Sequence, residues 1–482
     1  MWPLTRKKKR DPDAIMSIGS NDWLTVNQCH SNTLICGQTG AAKTTGPAAN
    51  LALGLLAHPS RPGALILCQK PDEAARWMRY CELTNRSADV IHVRLGGEYV
   101  IDLLDYILAG PGGVEEAKSL MGVLLEVANR NRARNSSDSY WNDSAERGMG
   151  YGMTLVKMAN GRCNFNDLLE FMESLPDSIE QLMDREWKKG SFAAGCAIAA
   201  GEKYRDTRAF HMAANWFASE WPTLSYKTRS VIFSVCINTL DRFLSGQFSD
   251  LISADKTTFT PEMSLNDGKI TIFDVCGSVF GPAAVWVSVA TKLLYQKAAM
   301  RRDISKDCRP LILWADEGAS FCVPELDAMF LSQSRQFKVI CVNIVQNLPL
   351  VITALGGNEA ARQQAYAWFS NHATIIAAAN SDPETNKVFS DMAGETRETL
   401  YGGSSGGRFD YDLVADVMGR EMGNASVSWN QQIRPSLPPY VFGQLAKGGR
   451  EFGFVAEPYI MQSGRIFSNG KPWIKAAWKQ VL

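Results

Sequence analysis

Between Cys36 and Thr45 the chain reads CGQTGAAKTT, with an apolar run (TLIC, from Thr33) leading in and a helical pattern starting near Pro47 leading out. Glycines spaced this way before a lysine and a hydroxyl residue suit a loop whose backbone N–H groups wrap phosphate oxygens. The lysine then reaches the β/γ-phosphates and the hydroxyl is placed to hold Mg²⁺. Gly37, Gly40, Lys43 and Thr44 fall in register with the pattern GxxxxGK[ST]. The pattern's last glycine is replaced by Ala42, which costs little if the backbone there has negative φ and more if φ is positive. The residues expected to contact nucleotide are Gly37, Thr39, Gly40, Ala41, Ala42, Lys43, Thr44 and Thr45. The competing reading is a tight glycine turn with a solvated lysine.

A second stretch, LILWADE, ends an apolar run in Asp316 and Glu317. Acids at the carboxyl end of a central strand sit where α/β folds place ligands. Asp316, with Thr44, is the candidate for the magnesium shell, and Glu317 is the candidate to orient and polarise a water. Together with the loop, this pair implies ATP hydrolysis rather than nucleotide binding alone.

These residues need elements to hold them. Apolar runs start at Thr33, Ala64, Val90, Lys269, Pro310, Lys338 and Ala373, with a further candidate, EFGFVAE, from Glu451. Several are apolar throughout, as strands buried on both faces should be, and helical patterns separate many of them. The expected fold is α/β with a mostly parallel central sheet. From about Ser144 to Arg242 no strand pattern appears, which reads as an all-α insertion. Helices are expected from Phe165, Ser178 and Thr207. Trp216, Phe217 and Trp221 are either core packing or an exposed aromatic patch. GGSSGG, Gly402 to Gly407, reads as a loop. The expected division is a basic tail over 1–20, a nucleotide-binding domain over 21–143 and 229–482, and an all-α insertion over 144–228.

Composition sets limits. The chain has 482 residues, 45% hydrophobic and 21% charged, which excludes a disordered chain, a coiled coil or a collagen-like repeat. Lys+Arg and Asp+Glu each number 50, so the formal charge is zero and nucleic-acid contact must be local. Eleven scattered cysteines without a CxxC pair fit buried thiols in a reducing compartment. The five histidines form no local metal motif. No apolar window of about 20 residues is present. The basic run Arg6 to Arg10 reads as a solvated tail or a contact for anionic lipid or nucleic acid.

The chain resembles the TraG/TraD-like coupling ATPases of conjugation and type IV secretion, within the HerA/FtsK group of ring motors. Beyond the two ATPase motifs, the resemblance is carried by VIDLLDYIL from Val100, YWNDSAERG from Tyr140, FLSQSRQFKVICVNIVQNLPLV from Phe330 and IRPSLPPYVFGQLAKGGREFGFVAEPYI from Ile433. It runs from about residue 20 to about residue 465. It implies a RecA-like P-loop NTPase domain, ATP and Mg²⁺ as cofactors, and a homo-oligomer, expected to be a hexamer. By the same resemblance, Arg335 matches an arginine finger reaching a neighbour's γ-phosphate and Gln346 matches a γ-phosphate sensor. The implied partners are DNA, a relaxase-like protein substrate, or both, and membrane secretion-channel proteins.

Two departures stand out. The family's Asp after its second strand is missing, since that stretch here is Cys68, Gln69, Lys70, Pro71. The family's membrane-spanning helices ahead of the P-loop also have no counterpart. The expectation is a cytoplasmic chain without a transmembrane segment of its own, peripheral at most at the inner face of the membrane. The alternatives to a secretion motor are a DNA translocase for segregation or packaging and an ATP-dependent recruitment platform for protein substrates. For a ring motor, zero net charge predicts basic residues gathered toward the channel.

Overall fold

A computed structural model describes residues 11–129, 136–244, 246–254, 256–306, 308–406 and 424–481. The strands in chain order are β1 (Ala14–Ser17), β2 (Trp23–Thr25), β3 (Thr33–Cys36), β4 (Gly63–Leu67), β5 (Val90–Arg94), β6 (Ile270–Asp274), β7 (Leu311–Ala315) and β8 (Val339–Val345). They continue with β9 (Thr374–Ala377), β10 (Glu395–Gly406), β11 (Asn424–Pro435), β12 (Val455–Ala456), β13 (Tyr459–Gln462), β14 (Trp473–Lys475) and β15 (Trp478–Lys479).

A nine-stranded sheet runs in the order β14-β13-β9-β3-β8-β7-β4-β6-β5. From β9 to β5 every pairing is parallel, and β13 and β14 add an antiparallel edge. This is the expected α/β class. β3, β4 and β7 are buried along their whole length, as apolar strands covered on both faces must be. Alternate side chains serve opposite faces. Leu34, Leu65 and Leu313 join the core beneath the helix Pro282–Met300 and the helical region. Ile35, Ile66 and Ile312 pack on the other side with Leu51, Leu55 and Trp77.

Between β5 and β6 the described residues are helix and loop, apart from one isolated bridge between Asp102 and Ser253. Positions 144 and 228, the limits expected for the insertion, both fall inside continuous helices, Ser136–Asn160 and Tyr226–Leu244. The helix expected from Ser178 is broken into a short turn at Gln181–Met183 and a helix at Arg185–Gly190, because Asp184 caps the second by accepting from Glu186 N. Trp216, Phe217 and Trp221 are buried, which decides for core packing, and Trp221 Nε1 donates to the Pro176 carbonyl.

Three further expectations change. Ala14–Ser17, inside the stretch read as a tail, forms β1 and pairs with β2. The basic run Arg6 to Arg10 lies outside the described residues. Gly402 to Gly406 continue β10, in register with Ser428 back to Asn424 of β11, so this part of GGSSGG belongs to a hairpin strand. Gly407 lies outside the described residues. In EFGFVAE only Val455 and Ala456 are strand, because Gly449, Gly453 and Phe454 adopt positive φ and turn the chain before it.

Candidate nucleotide-binding site

The loop after β3 lies at the carboxyl end of the sheet, hard against the end of β9. A Cβ on Gly37 would come within 2.8 Å of the Ala378 methyl carbon, so the loop enters where only glycine fits. Gln38 N donates to the Ala379 carbonyl at 2.9 Å. Gly40 has φ +78°, a left-handed conformation that costs glycine nothing. Ala42 has φ +51°, so the alanine that replaces the pattern's glycine sits in the conformation disfavoured for an L-residue.

The loop meets the end of β7 directly. Thr44 Oγ1 is 3.3 Å from both Asp316 Oδ1 and Asp316 Oδ2. Lys43 Nζ donates to the Gln38 carbonyl at 2.9 Å. Gln346, just past β8, accepts from Thr39 Oγ1 through Oε1 at 3.0 Å. Thr39, Lys43, Thr44, Asp316, Glu317 and Gln346 line one cavity of about 540 Å³, together with Gly40, Ala41, Ala42 and Thr45. Of the residues expected to form the site, Gly37 stands behind the loop rather than in the wall, and Arg335 lies elsewhere.

Arg335 is exposed in the turn between the helix Pro324–Gln333 and the amino end of β8. Gln346 follows the carboxyl end of that strand. At about 3.3 Å per residue the strand separates them by roughly 20 Å. Arg335 therefore cannot reach the cavity of its own chain.

Four groups that the sequence reading passed over complete the site. Lys70 Nζ is 2.7 Å from Glu317 Oε1. Arg76 NH1 is 3.4 Å from Asp316 Oδ2 and the same guanidinium also pairs with Asp72. Glu73 is almost fully buried, and its Oε2 accepts from Gln69 N at 2.7 Å. It supplies a carboxyl group close to the place where the family's aspartate is absent. The fourth, Gln480, donates from Nε2 to Thr45 Oγ1 and accepts from Gly449 N through Oε1, both at 2.6 Å, tying the last strand to the phosphate loop. Lys70, Glu73 and Arg76 recur every three residues across the start of a helix that follows a buried strand, a signal that could have been used. Nothing local marks Gln480.

Burial dominates the electrostatics. It pushes the Asp316 carboxyl up to about 6, against the pull of Lys70 and Arg76. Burial, and then the charge of Asp316, push Glu73 up to about 8. Burial lowers the Lys43 ammonium, opposed by nearby acids including Glu317 and Asp316. For Lys70, burial is outweighed by the bond and charge of Glu317, which raise it. A hydroxyl and a carboxylate side by side form a hard oxygen donor set of the kind Mg²⁺ takes, so the residues fit that ion.

Sheet order, loop and strand-end acids define a P-loop nucleotide-binding domain of the RecA-like class. Residues 310–446 match the family described as the TraM recognition site of TraD and TraG. Solved structures of the plasmid coupling protein TrwB share the fold. The unbound form of the conjugative coupling protein TrwBdeltaN70 is 14% identical, covering 98% of this chain and 89% of that one, with a TM-score of 0.63. TrwB in complex with ADP and Mg²⁺ is 13% identical, covering 99% and 90%, with a TM-score of 0.62. TrwB with a non-hydrolysable ATP analogue is 13% identical, covering 99% and 91%, with a TM-score of 0.61. No curated protein sequence matches. The resemblance to the TraG/TraD-like coupling proteins is thus met by a family match across β7 to β11 and by a shared fold across nearly the whole chain. Among the described residues no helix is long and apolar enough to cross a membrane.

Proposed function

We propose that the chain is an ATP-hydrolysing ring motor that couples a DNA or DNA–protein substrate to a type IV secretion or conjugation channel. One observation carries the reading: Thr44 and Lys43 of the phosphate loop share a cavity with the strand-end acids Asp316 and Glu317. Loop N–H groups and Lys43 bind and orient the phosphates. Thr44 and Asp316 would hold Mg²⁺, which when bound offsets charge on the β- and γ-phosphates. Glu317 accepts a hydrogen bond from the attacking water and orients it, and Gln346 reports on the γ-phosphate from the end of β8. Arg335, remote from its own cavity, serves a neighbouring subunit's, which makes hydrolysis depend on assembly into a homo-oligomer, a hexamer in this reading. The TrwB complexes with ADP and Mg²⁺ and with an ATP analogue support ATP and Mg²⁺ as the cofactors. The helical region between β5 and β6 is the substrate-recognition module. Membrane channel proteins are the docking partners, reached from the cytoplasmic face.

The test is the ATPase rate as a function of protein concentration, with and without single- and double-stranded DNA. A DNA-assisted ring motor shows specific activity that rises with concentration and rises again with DNA. Concentration-independent hydrolysis that ignores DNA contradicts it. ATP binding without DNA stimulation favours the recruitment platform.

A further inference from the structure

Each of the two acids at the end of β7 has its own bonded cation. Arg76 serves Asp316 and Lys70 serves Glu317. Two other lysines, Lys43 and Lys447, line the same cavity, and Lys43 is engaged by the Gln38 carbonyl. Among the described residues the Glu317 side chain is bonded through Oε1 alone, to Lys70. Its second oxygen keeps its capacity to accept from a water.

Lys70 is held on both sides. Gln69 N donates to Glu73 Oε2 at 2.7 Å, and the Gln69 carbonyl accepts from Ser278 Oγ at 2.7 Å and Ser278 N at 3.3 Å. The Lys70 carbonyl accepts from Glu73 N, and Pro71 fixes the next φ. The ammonium is therefore presented from a clamped backbone to a carboxylate with no other anchor. Lys70 is about half exposed, a setting in which an ion pair contributes little to folding. What such a pair does supply is direction, and a base misplaced by about 1 Å can lose about 10²-fold in rate.

We infer that Lys70 is a positioning residue for hydrolysis, holding Glu317 through Oε1 so that Oε2 faces the nucleophilic water. The inference rests on the reading of Glu317 as the base. It also gives a route from the site outward. The Gln69 carbonyl is bonded to Ser278 in the short helix Gly277–Phe280, which also carries the exposed Val279 and Phe280, so a shift of that helix bears directly on the backbone that presents Lys70.

The test compares Lys70→Gln, Lys70→Arg, Glu317→Gln and the Lys70→Gln/Glu317→Gln double variant in the full chain with ATP and Mg²⁺. Steady-state kcat and KM, the affinity for a fluorescent ATP analogue and the melting temperature are read for each. Lys70→Gln should lower kcat by roughly 10- to 100-fold, with KM, affinity and melting temperature nearly unchanged. Lys70→Arg should recover part of the loss, and the double variant should be no slower than Glu317→Gln alone. A raised KM with kcat kept would make Lys70 a phosphate contact and overturn the inference. An equal loss in the Arg and Gln variants, or the same fold-loss with Glu317 already replaced, would overturn it too. A wild-type protein without ATPase activity, or a fully active Glu317→Gln, removes the base assignment and the inference with it. A normal wild type, a stalled Glu317→Gln and an unaffected Lys70→Gln remove only the inference.

Discussion

Thr44 Oγ1 stands 3.3 Å from each carboxylate oxygen of Asp316, joining residues 272 positions apart. β3 and β7 are not neighbours; β8 lies between them. The contact is made because the phosphate loop curls over the strand ends. A divalent ion at this pair would replace a hydrogen bond with two oxygen ligands. Asp316→Asn and Thr44→Ala should each lower Mg²⁺-dependent ATPase activity by about 10² or more, with the larger loss at Asp316. Titrating Mg²⁺ should show a raised half-saturation concentration in both variants.

The acids of the site set a pH dependence of stability. Glu73, raised by burial and by Asp316 from an ordinary 4.5 to about 8, takes up protons on folding. Its contribution is fully present below its unfolded value and is lost as pH rises through the folded one. Asp316, also raised, acts with the same sign. Glu73→Gln should therefore flatten the fall in melting temperature between about pH 5 and pH 8. An unchanged slope would show that Glu73 is not the titrating group.

Ala42 makes the phosphate loop pay a conformational cost, since its φ is +51°. Ala42→Gly should stabilise the protein by about 1 kcal/mol, measured by denaturant unfolding. The opposite change across the cavity should do harm. Gly448 has φ +76°, and a Cβ there would come within 2.7 Å of the Ala42 methyl carbon and of Gln480 Oε1. Gly448→Ala should lower both stability and nucleotide affinity.

These positions mark how far the sequence could be read. Most of the parallel strands were legible because they are apolar runs buried on both faces, and β5, at the sheet edge, was legible from its alternating buried and part-exposed positions. β13 and β14 were not, because both are short and carry mixed patterns, β13 with part-exposed ends and β14 at the sheet edge. The GxxxxGK[ST] spacing and the strand-end Asp316–Glu317 pair were legible because their chemistry fixes local spacing. The three-residue spacing of Lys70 and Glu73 is visible in the sequence, but their link to the strand-end acids depends on the order that places β4 beside β7, and Gln480 reaches Thr45 through the separate β12–β15 pair. The buried Trp216 and Trp221 were open to two readings because aromatic spacing alone does not say which face is covered.

Gln480 closes the cavity by bonding both Thr45 and Gly449. Gln480→Ala removes two hydrogen bonds and should cost about 1–2 kcal/mol of nucleotide affinity, some 5- to 30-fold in Kd. Turnover at saturating ATP should change far less, because Gln480 touches the loop and not the strand-end acids.

Arg335 and Lys43 sit at opposite ends of the sheet. If the arginine works on a neighbour, Arg335→Ala and Lys43→Ala should each be inactive alone. Mixing them should restore part of the rate, since some interfaces then pair an intact loop with an intact arginine. Mixed assemblies that stay inactive would count against an arginine acting on the neighbouring subunit.

In the proposed mechanism Glu317 activates water against ATP held by the phosphate loop. The most direct measurement is ATP binding and single-turnover hydrolysis by Glu317→Gln beside the wild type. ATP affinity should stay within a few-fold of wild type and hydrolysis should slow by at least about 10²-fold. Wild-type hydrolysis in that variant would contradict it.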